Sequence, residues 1–103
     1  MLDLLSTQAS EEELSQLKHP MVGGVILFSR NYSDRTQLIA LIKQVRSVRP
    51  DILIAVDHEG GRVQRFKDGF TCIPAMGDIL PTAGDMVLAN SWAVELGYLM
   101  AIE

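Results

Sequence analysis

Ile52-Leu53-Ile54-Ala55-Val56-Asp57-His58-Glu59-Gly60-Gly61-Arg62-Val63-Gln64-Arg65-Phe66 decides the fold. Five apolar residues in succession, with β-branched side chains at Ile52, Ile54 and Val56, predict a strand buried on both faces. The chemistry then changes within one residue. Asp57, His58 and Glu59 precede two glycines, and Arg62 and Arg65 follow. A core strand that runs into such a cluster ends where polar groups meet a ligand. In parallel α/β folds that place is the carboxyl end of the strands.

Similar units lie on the amino-terminal side. Val22-Gly23-Gly24-Val25-Ile26-Leu27-Phe28 is a second unbroken apolar run. Its glycines let the chain turn and approach a neighbour closely. It ends in the polar set Ser29-Arg30-Asn31-Tyr32. Met1-Leu2-Asp3-Leu4-Leu5 is a third, short candidate strand.

Between the strands lie helices. Ser10-Glu11-Glu12-Glu13 is a capping box opening a helix that runs to about Lys18 and is closed by His19-Pro20. His19 reads as a polar residue at a helix end. Asp34 or Ser33 caps a longer helix with Leu38, Leu41, Ile42, Val45 and Val48 on one face. Pro50 ends it. Asp68-Gly69 is a turn signal, and the stretch from Pro74 to Pro81 reads as irregular loop. From about Asp85 a helix resumes, with Val87, Leu88, Trp92, Leu96, Leu99 and Met100 as its apolar face and Trp92 in the core. Alternation of apolar strands with amphipathic helices predicts parallel βα units. Three such strands leave two open edges, so a part of a larger α/β protein, or one unit of an assembly, is expected.

Composition narrows the function. The 103 residues are 48% hydrophobic, enough to pack a small core. A net charge of −4 with scattered Lys and Arg opposes a nucleic-acid footprint. Cys72 is the single cysteine, which removes internal disulfides and cysteine-based metal sites; it reads as a small buried hydrophobe. No signal peptide or membrane-spanning run is visible, so a cytoplasmic location is expected.

Several chemistries fit the strand end. Asp57 and Glu59, two apart, suit the paired carboxylates of glycoside hydrolysis, but the glycines after Glu59 turn the chain and separate them. A metal site on three consecutive residues needs a bend and lacks a second cluster. His58 between two acids is expected to have a raised pKa. Gly60-Gly61-Arg62 suits an anion without matching a known phosphate loop. Arg65 offers a planar fork for carboxylates, phosphates or sugar oxygens; the alternative is an ion pair of Arg62 or Arg65 with Asp57 or Glu59 that holds the turn. Asp57, the first polar residue after the strand, either accepts hydrogen bonds from vicinal hydroxyls or from the amides of the Gly60-Gly61 turn.

Val22–Phe28, Arg30-Asn31-Tyr32, the block from Val56 to Phe66, Gly69-Phe70 and Ile73-Pro74 together resemble bacterial β-N-acetylhexosaminidases of glycoside hydrolase family 3. Leu2-Asp3 and His19-Pro20 fit as well, so the resemblance covers nearly the whole chain. It implies a (β/α)8 TIM barrel of which residues 1–103 form the amino-terminal third, about three βα units of one incomplete domain. It implies removal of terminal non-reducing N-acetylglucosamine from peptidoglycan muropeptides in cell-wall recycling, with retention, through a covalent intermediate on an aspartate, with a histidine on a mobile loop as acid/base and no metal or cofactor. Asp57 resembles the aspartate that binds sugar hydroxyls and Arg65 the arginine that helps bind substrate. Glu59 has no catalytic counterpart.

The chain departs from the family pattern in three ways. His58 stands where glutamine is usual. The first strand is shortened at Met1. The Lys-His-Phe-Pro-Gly-His-Gly and Ser-Asp-Asp segments that carry the catalytic pair do not occur in these residues. The expectation is therefore a sugar subsite without catalytic residues, associated with the remainder of a barrel or with itself. The competing expectations are a non-catalytic sugar-binding or barrel-associating α/β fragment, and an unrelated small enzyme using Asp57 and Glu59.

Overall fold

Three apolar runs become parallel strands in the computed structural model, which describes residues 1–103. They are β1 (Leu2–Asp3), β2 (Gly24–Leu27) and β3 (Leu53–Val56), in spatial order β1-β2-β3. Leu2 pairs with Val25, and Val25 in turn with Ile54. The connections carry α1 (Glu11–Leu17) and α2 (Arg35–Val48), which makes the βα alternation expected of a parallel sheet. Beyond β3 come α3 (Ile79–Ala83) and α4 (Met86–Ile102). The chain divides into two units, residues 1–57 and 58–103.

In the first unit the core lies where the sequence pattern places it. Leu4, Leu17, Val25, Leu41, Val45 and Ile52 are all buried. Each such side chain contributes about 1.5–3 kcal/mol relative to leaving it exposed. The caps match their residues. Ser10 Oγ accepts from the Glu13 amide at 3.2 Å, and the Glu13 carboxylate accepts from the Ser10 amide at 2.7 Å and the Leu5 amide at 2.8 Å. Partial burial raises the Glu13 pKa, but these hydrogen bonds outweigh it and hold the carboxyl below its usual range. Asp34, rather than Ser33, caps α2 by accepting from the Gln37 amide at 2.8 Å. At the far end, Arg49 donates to the carbonyls of Leu17 and His19 at 3.1 and 3.3 Å. One residue thus closes α2 and satisfies the last carbonyl of α1 and one in the turn after it. At Gly24 two strands approach closely: a Cβ there would lie 3.1 Å from the Leu53 carbonyl oxygen.

Four expectations are corrected. β3 is not buried on both faces. Leu53 is 59% exposed and Val56 is also exposed, because β3 is an edge strand paired only with β2. The segment from Pro74 to Pro81 is not irregular throughout: a 3-10 turn at Met76–Asp78 leads into α3, which contains Pro81. Pro81 is the third residue of α3, in the first turn, where an amide has no partner within the helix, so proline is accommodated. In α4 only Ala89 is fully buried. Trp92, Leu96 and Leu99 are half-buried, and Val87, assigned to the apolar face, is 83% exposed. Cys72 is exposed as well, not buried.

Candidate functional site

The carboxyl ends of β1 and β2 are built as scaffold. Asn31, in the 3-10 turn Ser29–Asn31 after β2, is completely buried. Its Oδ1 accepts from the Phe28 amide at 2.9 Å. Its Nδ2 donates to the carbonyls of Leu4 at 2.9 Å and Ser6 at 2.8 Å. Arg30 donates from Nε to the Leu4 carbonyl at 2.9 Å, pairs with the Asp3 carboxylate, and lies 4.8 Å over the Phe28 ring. The polar cluster after β2 therefore ties the loop after β1 to the end of β2. The Arg30 and Asn31 side chains carry that tie, and a buried amide so satisfied favours a single loop conformation.

The end of β3 differs. Asp57 follows Val56 directly and is half-buried, and with it the first unit closes. Its position on the chain is set by the β2–β3 pairing, in which Leu27 lies opposite Val56.

Residues 58–76 form a laced loop in the second unit. The Glu59 amide donates to the Val63 carbonyl at 2.8 Å, and the Val63 amide donates to the Gly60 carbonyl at 3.0 Å, closing the double-glycine turn. This turn is then stitched to residues 73–76. The Gly61 amide donates to the Ile73 carbonyl at 2.9 Å and the Met76 amide to the Glu59 carbonyl at 3.2 Å. Gly60 and Gly61 have φ of +80° and +56°, a left-handed region that glycine enters at little cost. The turn is thus held by main-chain bonds: Arg62 and Glu59 are exposed and form no ion pair. The amide of Gly61 is committed to Ile73, which removes one of the two donors considered for Asp57 or for an anion. Glu59 and Arg62 instead line a cleft of about 570 Å³ with Met76 and Asp78.

One residue of this loop was given no role by the sequence reading. Gln64 is 4% exposed and bonds three ways. Its Nε2 donates to the carbonyls of Phe66 at 3.1 Å and Thr71 at 2.8 Å, and its Oε1 accepts from the Ile73 amide at 3.0 Å. Buried Gln64 and Phe66 flank half-buried Arg65. No periodic pattern in one sequence marks such a glutamine, since a polar residue between Val63 and Arg65 reads as surface. Thr71 is itself held by Glu103, which accepts from the Thr71 hydroxyl at 2.6 Å.

His58 lies against Phe66 and Phe70, with ring centroids at 6.0 and 6.5 Å. Burial lowers its pKa; the Glu103 carboxylate raises it in part and Arg65 lowers it further, for a net lowering from the usual 6.5. The raised value expected from the two neighbouring acids is therefore corrected: an aromatic setting outweighs adjacency in the chain. The folded state favours the neutral ring, so the unfolded chain binds more protons as pH falls. The contribution is complete above the ordinary histidine value and is lost as pH drops through the lower folded value. NMR titration of the His58 imidazole is expected to give a midpoint below the usual histidine value of 6.5; a midpoint above it would contradict this arrangement. No group of three or more His, Cys, Asp or Glu is placed to hold a metal ion, and no helix is long and apolar enough to cross a membrane.

The family known as the glycosyl hydrolase family 3 N-terminal domain matches residues 1–102. The chain belongs to this family. Among family 3 relatives, a β-hexosaminidase of Shewanella frigidimarina is 64% identical over 104 residues, and one of Methylococcus capsulatus is 53% identical over 103. Both alignments cover all of this chain and 30% of the relative, so the chain spans about a third of the length of these enzymes. The fold agrees. NagZ from Neisseria gonorrhoeae, solved in complex with N-trifluoroacetyl-D-glucosamine, superposes with a TM-score of 0.86 at 42% identity, over 98% of this chain and 30% of that one. The three parallel strands and four helices thus correspond to the amino-terminal part of the NagZ barrel.

Proposed function

We propose that these residues supply the first βα units and part of the sugar subsite of a β-N-acetylglucosaminidase. The whole enzyme would remove terminal non-reducing N-acetylglucosamine from peptidoglycan muropeptides in the cytoplasm, with retention of configuration. Asp57 accepts hydrogen bonds from sugar hydroxyls, and Arg65 donates to sugar oxygens. The nucleophile and the acid/base belong to segments outside these residues, and no metal or cofactor takes part. The observation that carries this reading is the 42% identical fold match to a NagZ solved with an N-acylated glucosamine.

A chromogenic N-acetyl-β-glucosaminide tests the division of labour. The 103-residue chain is expected to show no turnover above the uncatalysed rate. Turnover that disappears in Asp57→Ala and Glu59→Gln would show a self-contained catalytic pair and overturn the reading. The second reading, a non-catalytic fragment that associates with a barrel partner, draws support from the exposed apolar edge at Leu53 and Val56.

A further inference from the structure

We propose that Gln64 is a positioning residue for Arg65, setting the arginine that meets the sugar; this rests on the sugar-binding role given to Arg65 above. Arg65 sits in no helix or strand, so no regular ladder of hydrogen bonds fixes its backbone. Gln64 takes over that task. Its two Nε2 donors hold carbonyls on either side of the Phe66–Thr71 excursion, and its Oε1 holds the Ile73 amide. The excursion leaves and returns to one buried side chain, and Arg65 is the first residue past it. Both donors and one acceptor site of the amide are used, within the ordinary hydrogen-bond range. Gln64 and Phe66 are buried on either side of half-buried Arg65 in the chain, and the Arg65 Nε is itself shielded from solvent.

Immobilising a rotamer-rich side chain on binding costs about 0.5–1.5 kcal/mol, and Arg65, half-buried with its Nε shielded from solvent, is partly restrained beforehand. A backbone that wanders adds to that cost. Arg65 needs a fixed base if its planar fork is to meet oxygens in one geometry. Gln64 supplies it from a site buried away from solvent, so its effect on a sugar is exerted through Arg65 alone.

The test is a double-mutant cycle on the chain, with N-acetylglucosamine as ligand and NMR as readout. Gln64→Leu removes every polar contact. Gln64→Glu keeps the shape and the acceptor for Ile73 but loses both donors. Each is expected to weaken sugar binding fivefold or more, with amide signals of β1 to β3 unchanged. Gln64→Leu combined with Arg65→Ala is expected to bind no worse than Arg65→Ala alone. The Arg65 Nε–H signal is expected to broaden or lose order in both Gln64 variants. Additive losses, or an Arg65 signal as ordered as in the wild type, would overturn the proposal. The order of the Arg65 side chain reads the positioning separately from sugar affinity: wild-type order in both Gln64 variants overturns the proposal, whereas loss of order with unchanged affinity overturns the sugar-binding role of Arg65.

Discussion

Gly60→Ala is expected to destabilise the second unit by on the order of 4 kcal/mol, at the far end of the range for single substitutions. Two costs add. A side chain at φ +80° is strained by about 1–2 kcal/mol. The new Cβ would also lie 2.0 Å from the Pro74 carbonyl oxygen and 2.8 Å from its carbon. Those atoms are backbone, and the neighbouring Ile73 amide and carbonyl are tied to Gln64 and Gly61, so the wall cannot retreat without breaking the lacing. The neighbours make a graded series. At Gly61 a Cβ would meet the Ala75 methyl at 2.9 Å, at φ +56°, which predicts an intermediate loss. At Gly77 nothing lies within 4 Å, and Gly77→Ala should stay within about 0.5 kcal/mol of wild type. Urea denaturation of the three variants, with hydrogen exchange at the Gly61 and Ile73 amides, reads the series. Equal midpoints for Gly60→Ala and Gly77→Ala would refute the clash argument.

Arg65→Ala and Asp57→Ala are each expected to weaken N-acetylglucosamine binding at least tenfold while leaving the fold intact. A hydrogen bond to a charged group contributes about 1.5–3 kcal/mol, hence roughly one to two decades in affinity. Arg65→Lys is expected to recover little, since a point charge does not reproduce the planar fork. Glu59→Gln and Arg62→Ala serve as controls: both side chains are exposed on the cleft of the double-glycine turn, and neither is assigned to the sugar. Calorimetric or NMR titration separates these outcomes, with the denaturation midpoint measured alongside. Wild-type affinity in Arg65→Ala or Asp57→Ala would remove that residue from the subsite.

Much of the first unit was legible from residue order. Unbroken apolar runs, the Ser10–Glu13 box, Asp34 and Pro50 each act within a few residues, so local chemistry is enough to read them. The parallel pairing of β2 with β3 followed from the helix between them. What could not be read depends on partners distant in the chain. The exposure of Leu53 comes from the lack of a strand on one side of β3, a property of the sheet. The lowered His58 pKa comes from Phe66 and Phe70, whereas the adjacent Asp57 and Glu59 suggested the opposite direction. Gln64 was silent because its bonds reach seven and nine residues along the chain to Thr71 and Ile73. Asp57 and Arg65 were singled out by position and chemistry, and their part in sugar binding is what the titrations decide.

The strand order β1-β2-β3 repeats the order of synthesis. Each strand joins the edge left by its predecessor, and no later strand has to be threaded between two earlier ones. A chain emerging at about 5–20 residues per second can therefore assemble vectorially. α1 and β2 precede β3 in the chain, and the buried Asn31 tie joins only Leu4, Ser6 and Phe28, so the hold on the two-residue β1 requires no third strand.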